Sequence, residues 1–526
     1  QDIRKWFSSP DPTVNYNTAC EAYHEGTATW FFEGTIFKEW ELIGSLLWIH
    51  GKPGSGKSIL CTSIIKHLIS LRDDGLATLA FFYFDFRDKE KQNIRNFLTS
   101  LLTQLSAYSE LCCLIISRLY STHGKGAQQP SVGVLKNCLK EMLRVVAQQP
   151  VYVILDALDE CPDMSGMPTP RETVLSLVED LVEMQLPSLH LCVTSRPEVD
   201  IKEALEPLAY CVVSLHDESG QQKDISDYVG DVVCSDKKMR NWRAGEKKLV
   251  IDELSKKADG MFRWVFCQLE VLRYCLPASI RQTLDQLPKT LDETYARVLS
   301  QISQANQAQA HRMLQCLMVA VRPLYVEELA ELLAFEFDTA QGAVPKYRAD
   351  WKPHDKVHAV LSTCSSLIAI VDDNGSQVVQ FSHFSVKEFL MSNRLGDFSQ
   401  YQINPSPAHT ILAQACLGSL LYLDDHANKE IVKGFPLAEY AAKHWVTHAQ
   451  FEDVASRVKD GMESLFDHDK PHFAAWVGIY NMDKSSDSES PSKVPTPLYY
   501  SSLCGFSDLV EHLATKHPQH GCGNPT

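Results

Sequence analysis

The chain has 526 residues, 44% hydrophobic and 22% charged, the balance of an ordinary globular protein too long for one core and divided into roughly three to five domains. A formal net charge of −16 excludes a general nucleic-acid or anionic-membrane surface, since neither attracts an acidic chain. The 16 cysteines are scattered with no C-x-x-C pair, so free thiols in a reducing cytosol are expected rather than zinc or disulfides, and no apolar run approaches the ~18 residues of a membrane span.

The sequence opens at Gln1 rather than Met and shows no signal peptide, from which a missing upstream segment and a cytoplasmic location are expected. Residues 1–40 read as a lead-in, with a turn at Ser9-Pro10-Asp11-Pro12 and the stretch His24-Glu25-Gly26-Thr27 before the aromatics Trp30, Phe31, Phe32 and Trp40. Those aromatics are expected to pack on the next domain. That domain begins with the apolar run Leu46-Leu47-Trp48-Ile49, then Gly51-Lys52-Pro53-Gly54-Ser55-Gly56-Lys57-Ser58, then apolar residues at helical spacing through Leu60, Ile64, Ile65 and Leu68. This is strand, glycine-rich loop and helix, spelt G-x-x-x-x-G-K-[ST], the pattern of a nucleoside-triphosphate phosphate loop.

The chemistry explains the spelling. A triphosphate is a dense anion, and glycines let the backbone curl until successive N–H groups point inward at it. The following helix adds roughly half a positive charge at its N-terminus. Lys57 is expected to reach the β- and γ-phosphates and the Ser58 hydroxyl to ligate Mg²⁺. Gly51, Pro53, Gly54, Ser55, Gly56, Lys57, Ser58 and Ile59 are therefore the expected nucleotide contacts, and Thr27 in the lead-in is expected to border the base.

Residues 79–86 read as a buried aromatic strand, followed by helices through Phe97, Leu101 and Leu105 and through Leu135, Leu139 and Val146. The second signature is Val151-Tyr152-Val153-Ile154-Leu155-Asp156-Ala157-Leu158-Asp159-Glu160. An apolar strand ending in a carboxylate puts Asp156 at the sheet edge where ligands bind in open α/β sheets, opposite Ser58 in the Mg²⁺ shell. Glu160 is expected to orient or deprotonate an attacking water, with Asp159 beside it among the catalytic residues. A helix through Val174, Val178 and Leu181 leads to Leu189-His190-Leu191-Cys192-Val193-Thr194-Ser195-Arg196-Pro197, which puts Arg196 on the same edge, where a guanidinium can register a γ-phosphate or form a salt bridge. Residues 210–215 supply a fifth strand, and strands alternating with helices predict a doubly wound parallel sheet.

From residue 216 the pattern turns helical, at 225–233, 248–257, 261–276, 279–287, 291–302, 307–319, 326–335 and 356–361. A hairpin follows, from Leu367-Ile368-Ala369-Ile370 through Asn374-Gly375 into Val378-Val379-Gln380-Phe381, and helices followed by a hairpin look like a winged helix. Asp372 and Asp373 at its tip would repel a DNA backbone. More helix is expected from 408 to 482, then a Ser/Asp/Glu/Pro linker at 485–495. Thr496-Pro497-Leu498-Tyr499-Tyr500 with Gly505-Phe506-Ser507-Asp508-Leu509 resembles one ankyrin repeat. One repeat cannot bury its apolar face alone, so an array is expected to continue beyond Thr526.

Together the phosphate loop, 155–160, Thr194 to Pro197, Ala258-Asp259-Gly260-Met261-Phe262, Arg322-Pro323-Leu324, Phe381-Ser382-His383-Phe384-Ser385 with Glu388-Phe389-Leu390, and the ankyrin start resemble fungal NACHT-type proteins of the STAND class, relatives of animal NOD-like receptors. The resemblance implies an α/β P-loop NTPase domain of the ASCE type at 41–215, with the Arg196 strand between those of the phosphate loop and Asp156. It further implies helical domain 1 at 216–304, a winged helix at 305–400, helical domain 2 at 401–484, and a linker with the first ankyrin repeat at 485–526. In such proteins ADP holds a closed monomer, exchange for ATP opens it to oligomerise, and slow hydrolysis resets it. His383 matches the winged-helix histidine that touches the β-phosphate of ADP; from the residues alone it reads as a satisfied core histidine. Ala157 stands where relatives often carry Gly, and Met261 where related switch ATPases place a proline against adenine. No N-K-x-D guanine signature follows the loop, so an adenine nucleotide, ADP or ATP, is expected.

Three functions are open at this point: a slow ATPase switch in fungal non-self recognition, with an effector domain upstream and a protein ligand on the ankyrin repeats; a binding scaffold with a structural nucleotide; and a cycling motor or small-molecule kinase. Intact Lys57, Asp156 and Glu160 argue against the second, and a helical and repeat tail without a second substrate lid argues against the third.

Overall fold

The computed structural model describes all residues except 1, 25, 164–167, 216–218, 338–343, 365–366, 374, 424–433, 483–495 and 517–526. The chain forms two compact units, Gln1–Thr294 and Tyr295–Thr526.

Five apolar segments of the first unit become parallel strands: β1 (Ser45–His50), β2 (Thr78–Tyr83), β3 (Val151–Asp156), β4 (Leu189–Ser195) and β5 (Cys211–Ser214). Their order across the sheet is β2-β3-β4-β1-β5, so the Arg196 strand does lie between those of the phosphate loop and Asp156. Every residue of β2, β3 and β4 is buried, because helices cover both faces of a parallel sheet. The strands alternate between two cores. Leu46, Trp48, Val153 and Leu155 join Phe97, Leu101, Leu139, Met142 and Val178, whereas Leu47, Ile49, Tyr152 and Ile154 join Phe37, Trp40, Ile64, Ile65 and Leu68. The lead-in aromatics Phe31 and Trp40 belong to this second core, as packing groups.

β2 is shorter than its apolar run. It stops at Tyr83 because the Asp85 carboxylate turns back to accept the backbone N–H of Arg87 at 2.9 Å. The helical part of the unit comprises Ser219–Ser235, Ala244–Lys257, Phe262–Leu272 and Ile280–Asp285. Phe262–Leu272 ends before the expected residue 276, which precedes Pro277 and so is steered away from helical backbone.

In the second unit, β6 (Leu324–Tyr325), β9 (Ile368–Asp373) and β10 (Ser376–Phe381) form an antiparallel sheet in the order β6-β10-β9, and β7 (Phe335–Glu336) pairs with β8 (Lys346–Tyr347). Phe335 is thus a strand residue beside the Tyr347 ring, 5.2 Å away, not the end of a helix from Val326. Asn374 of the expected turn lies outside the described residues, as does the linker at 485–495. Trp445 on Leu437–Ala449 packs against Phe466, Trp476 and Phe506. The candidate repeat is a pair of helices, Pro497–Leu503 and Ser507–Lys516, the first capped by the Thr496 hydroxyl. Every described cysteine is a free thiol, and among the described residues no helix is long and apolar enough to cross a membrane.

Ala157 takes the left-handed conformation, φ 55° and ψ 47°, directly after β3. An alanine pays roughly 1–2 kcal/mol there that glycine does not, although glycine returns some of that gain through a freer unfolded chain. Ala157→Gly should therefore leave stability within about 1 kcal/mol, whereas Ala157→Val should lower it by more than about 2 kcal/mol; thermal denaturation of the two variants checks the contrast.

Candidate nucleotide site

The phosphate loop runs from β1 to the helix Lys57–Asp73, and Gly54 (φ 73°) and Gly56 (φ 91°) supply left-handed turns that residues with a side chain adopt only under strain. The space is equally exclusive. A Cβ on Gly51 would lie 2.7 Å from Ser55 Oγ, and one on Gly54 would lie 2.4 Å from Arg263 Cβ. Ser55 Oγ is buried without a hydrogen-bond partner among the described residues, an orphan that a phosphate oxygen would satisfy. Lys57 Nζ donates to the carbonyls of Gly51 at 2.9 Å and Lys52 at 3.1 Å. Burial pushes its pKa down, and Asp159, Asp156 and Glu160 oppose that shift. Ile59 follows in the helix, where its carbonyl accepts the Ser63 hydroxyl at 2.9 Å.

The ends of β3 and β4 face this loop. Thr194 Oγ1 donates to Asp156 Oδ1 at 2.5 Å and accepts the Ala157 N–H at 3.0 Å, tying the two strand ends together. Burial raises the Asp156 pKa, and hydrogen bonds from Thr194 and Ser58 hold it back. The expected Mg²⁺ ligands Ser58 and Asp156 are therefore in contact. Among the described residues no cluster of three or more His, Cys, Asp or Glu could hold a metal ion, so a cation here would rest on these two and on ligand oxygens.

Arg196 is no surface arginine. Its Nε lies 3.0 Å from Asp159 Oδ2, its backbone N–H donates to Asp159 Oδ1 at 3.0 Å, and both side chains are largely buried. Glu160 Oε2 accepts the Phe86 N–H at 3.0 Å. Burial, then Asp85 and Asp159, push the Glu160 carboxyl well above the ordinary range, against the Phe86 N–H and Arg87, which pull it down.

The turn at Asp259 (φ 47°) and Gly260 (φ 73°) lies over the loop. The Arg263 N–H donates to the Gly54 carbonyl at 3.1 Å, Lys52 Nζ meets Asp259 Oδ2 at 2.8 Å, and the Phe262 ring lies against Gly56. Met261 is the N-cap residue between them. Gln221 donates to the carbonyls of Ser55 and Gly260, and one turn along its helix Asp224 accepts the N–H of Ala28 and the indole of Trp30. Thr27, in the turn before the helix Thr29–Glu33, thus faces the helix that carries Gln221, lining a pocket with His24, Asp224, Asp227 and Asp231. His383 belongs to the second unit, as the N-cap of Phe384–Met391, where its Nδ1 accepts the Ser385 N–H at 3.1 Å.

Residues 26–196 match the family model of the nephrocystin 3 N-terminal domain. That span holds the phosphate loop, Asp156, Glu160 and Arg196. Residues 295–404 match the winged helix domain of GPI inositol-deacylase, in agreement with the β6-β10-β9 sheet. The chain is similar to azaphilone pigments biosynthesis cluster protein L of Monascus ruber, 31% identical over 247 residues covering 44% of this chain and 51% of that protein. It is also similar to vegetative incompatibility protein HET-E-1 of Podospora anserina, 27% identical over 375 residues covering 69% of this chain and 26% of that protein. The chain spans about half the length of the first relative and about a quarter of the second. A solved structure of the Aeropyrum pernix ORC2 protein aligns with 74% of this chain and 94% of that one at 12% identity, with a TM-score of 0.30, too low to bear on arrangement.

Sequence reasoning named the charged residues at the strand ends but missed the groups that hold them. Asp85 follows an apolar run in the sequence just as Asp156 does, so the same rule would have found it; Gln221 and Arg171 carry no such signal. Arg171 is buried and donates to the carbonyls of Asp159 at 2.7 Å and Cys161 at 2.9 Å, while pairing with Glu198 at 2.5 Å. It joins the Glu160 loop to the turn that follows Arg196. Arg171→Met would strip the donors from two carbonyls, and a loss of about 3 kcal/mol in unfolding free energy is expected, measurable by urea denaturation.

Proposed function

We propose that the chain is a nucleotide-dependent switch of the NOD-like receptor type, an NTPase acting in fungal non-self recognition and incompatibility signalling. The observation that carries this reading is the convergence, on one sheet edge, of a half-buried lysine and an exposed serine at a helix N-terminus, a strand-end aspartate touching that serine, a buried Arg196–Asp159 pair and a glutamate with a raised pKa. The sequence likeness to HET-E-1, a vegetative incompatibility protein by name, supports the biological setting.

In this reading Lys57 and the loop N–H groups bind the phosphates of ADP or ATP, with the Ser55 hydroxyl as a further donor. Ser58 and Asp156 hold Mg²⁺, which would neutralise charge on the phosphates when bound. Glu160, steadied by the Phe86 N–H, takes a proton from the attacking water at its carboxylate, and Arg196 registers the terminal phosphate. The fold of residues 259–263 over the loop excludes water and slows exchange, with Met261 and Thr27 toward the base. His383 is the proposed β-phosphate contact, by resemblance alone; its Nδ1 acts as an acceptor, which puts the ring proton on Nε2, the donor a phosphate oxygen requires.

Moving a switch from 1:99 to 99:1 takes about 5.5 kcal/mol of differential binding. Charge-assisted hydrogen bonds contribute roughly 1.5–3 kcal/mol each, so two or three contacts made in one state alone suffice, and Arg196 and His383 are of that kind. The ADP-bound closed monomer, the ATP-bound oligomer, the division at 41–215, 216–304, 305–400 and 401–484, and an ankyrin array at 485–526 binding a protein ligand complete the proposal, with the cytoplasm as its place of action.

Lys57→Ala should abolish nucleotide binding in equilibrium titration; undiminished ATP affinity would refute the site. Glu160→Gln should retain ATP and assemble while turnover falls by about 10²–10⁴-fold, and ordinary turnover would remove Glu160 from its role. His383→Ala should speed ADP release, and an unchanged release rate would return His383 to a structural part.

A further inference from the structure

The peptide that holds Glu160 is itself held from outside the sheet. Phe86, whose N–H donates to Glu160, sits between Asp85 and Arg87, and these two side chains close on each other in a fork: Arg87 Nε to Asp85 Oδ1 and Nη2 to Oδ2, both at 2.7 Å. The fork is buried at its acidic end, and Gln92 donates to the Asp85 carbonyl at 3.0 Å. One further group completes it. Asn15, on the helix Thr13–Ala22, donates to Asp85 Oδ2 at 2.7 Å, and the buried Lys91 ammonium donates to the Asn15 Oδ1. The amide is thus read on both sides, which fixes its orientation as donor toward Asp85. Burial pushes the Asp85 carboxyl up, but Arg87 outweighs that and, with Asn15, holds it down to about 2.

The helix that carries Asn15 is unusual in this unit because none of its residues is fully buried. Its apolar hold on the sheet is the half-buried Tyr16, whose ring lies 5.8 Å from Phe81 at the margin of the second core, so polar contacts such as that of Asn15 contribute a large share of its docking.

We propose that Asn15 is a positioning residue for Glu160, so that docking of the helix Thr13–Ala22, N-terminal to the phosphate-loop sheet, governs turnover through the Asp85–Phe86–Arg87 turn. The inference rests on the reading of Glu160 as the base. Withdrawal of Asn15 leaves Asp85 with Arg87 alone, loosens the turn and lets the Phe86 N–H swing away from the Glu160 carboxylate. Phosphate binding rests on the loop and Lys57, on the other side of β3 from this turn, so the change is expected in turnover rather than in affinity.

The test is steady-state ATP hydrolysis by the full chain, with Asn15→Asp, which keeps the size and reverses the donor, and Asn15→Leu, which keeps the size and removes polarity. Both should lower kcat about tenfold with KM unchanged within about twofold. Thr18→Ala on the same helix, whose hydroxyl bonds only the Val14 carbonyl at 3.0 Å among the described residues, should turn over normally. Unchanged kcat in both Asn15 variants beside an active wild type would overturn the inference and spare the reading of Glu160. Loss of KM in step with kcat, or an equal loss in Thr18→Ala, would make the helix merely structural and overturn it too. An inactive wild type would sink both.

Discussion

Adjacency of β1, β4 and β3 is the constraint on which the rest of this protein depends. Parallel strands lie about 4.8 Å apart, so whatever stands at their carboxyl ends is brought within hydrogen-bonding reach. The phosphate loop leaves β1, Thr194 and Arg196 end β4, and Asp156 ends β3. Thr194 ties β4 to the end of β3 by one hydroxyl, and the Trp48 indole on β1 reaches Ser195 on β4 at 2.9 Å. With β4 elsewhere, Thr194 and Arg196 would lose their place beside the carboxylates that follow β3.

That gathering buries charge, and buried charge is costly unless paired. The chain answers with partners for each group. Lys57 rests on two loop carbonyls, Arg196 on Asp159, Asp85 on Arg87 and Asn15, and Arg171 on Glu198 and two carbonyls. Glu160 is the exception. It is buried and receives one backbone N–H while two carboxylates face it; burial first, and then those carboxylates, raise its pKa. A group left short of partners in an otherwise satisfied site is where proton transfer is best served.

Much of this was legible in the sequence. The glycines, Lys57 and Ser58 are spelt at fixed spacing because the phosphate loop tolerates little else, and strand-end carboxylates show as a break in an apolar run. The strands β2, β3 and β4 were readable because each is buried on both faces and therefore mostly apolar, and β1 because its four central residues are. The supporting groups were not. Asn15, Arg171 and Gln221 act at 70, 12 and 166 residues' separation from their partners, and no local pattern encodes such contacts. Ala157 shows the same limit in reverse: its smallness was visible, whereas its left-handed backbone is set by the turn between Asp156 and the short helix Leu158–Glu160.

The central claim is that this edge holds an adenine nucleotide by its phosphates, and the most direct measurement is to denature the purified chain and identify what it releases by ion-exchange chromatography. ADP or ATP at about one equivalent is the result the account requires. A chain that carries no nucleotide and takes up neither ADP nor ATP when they are added, or that releases a guanine nucleotide instead, would contradict it.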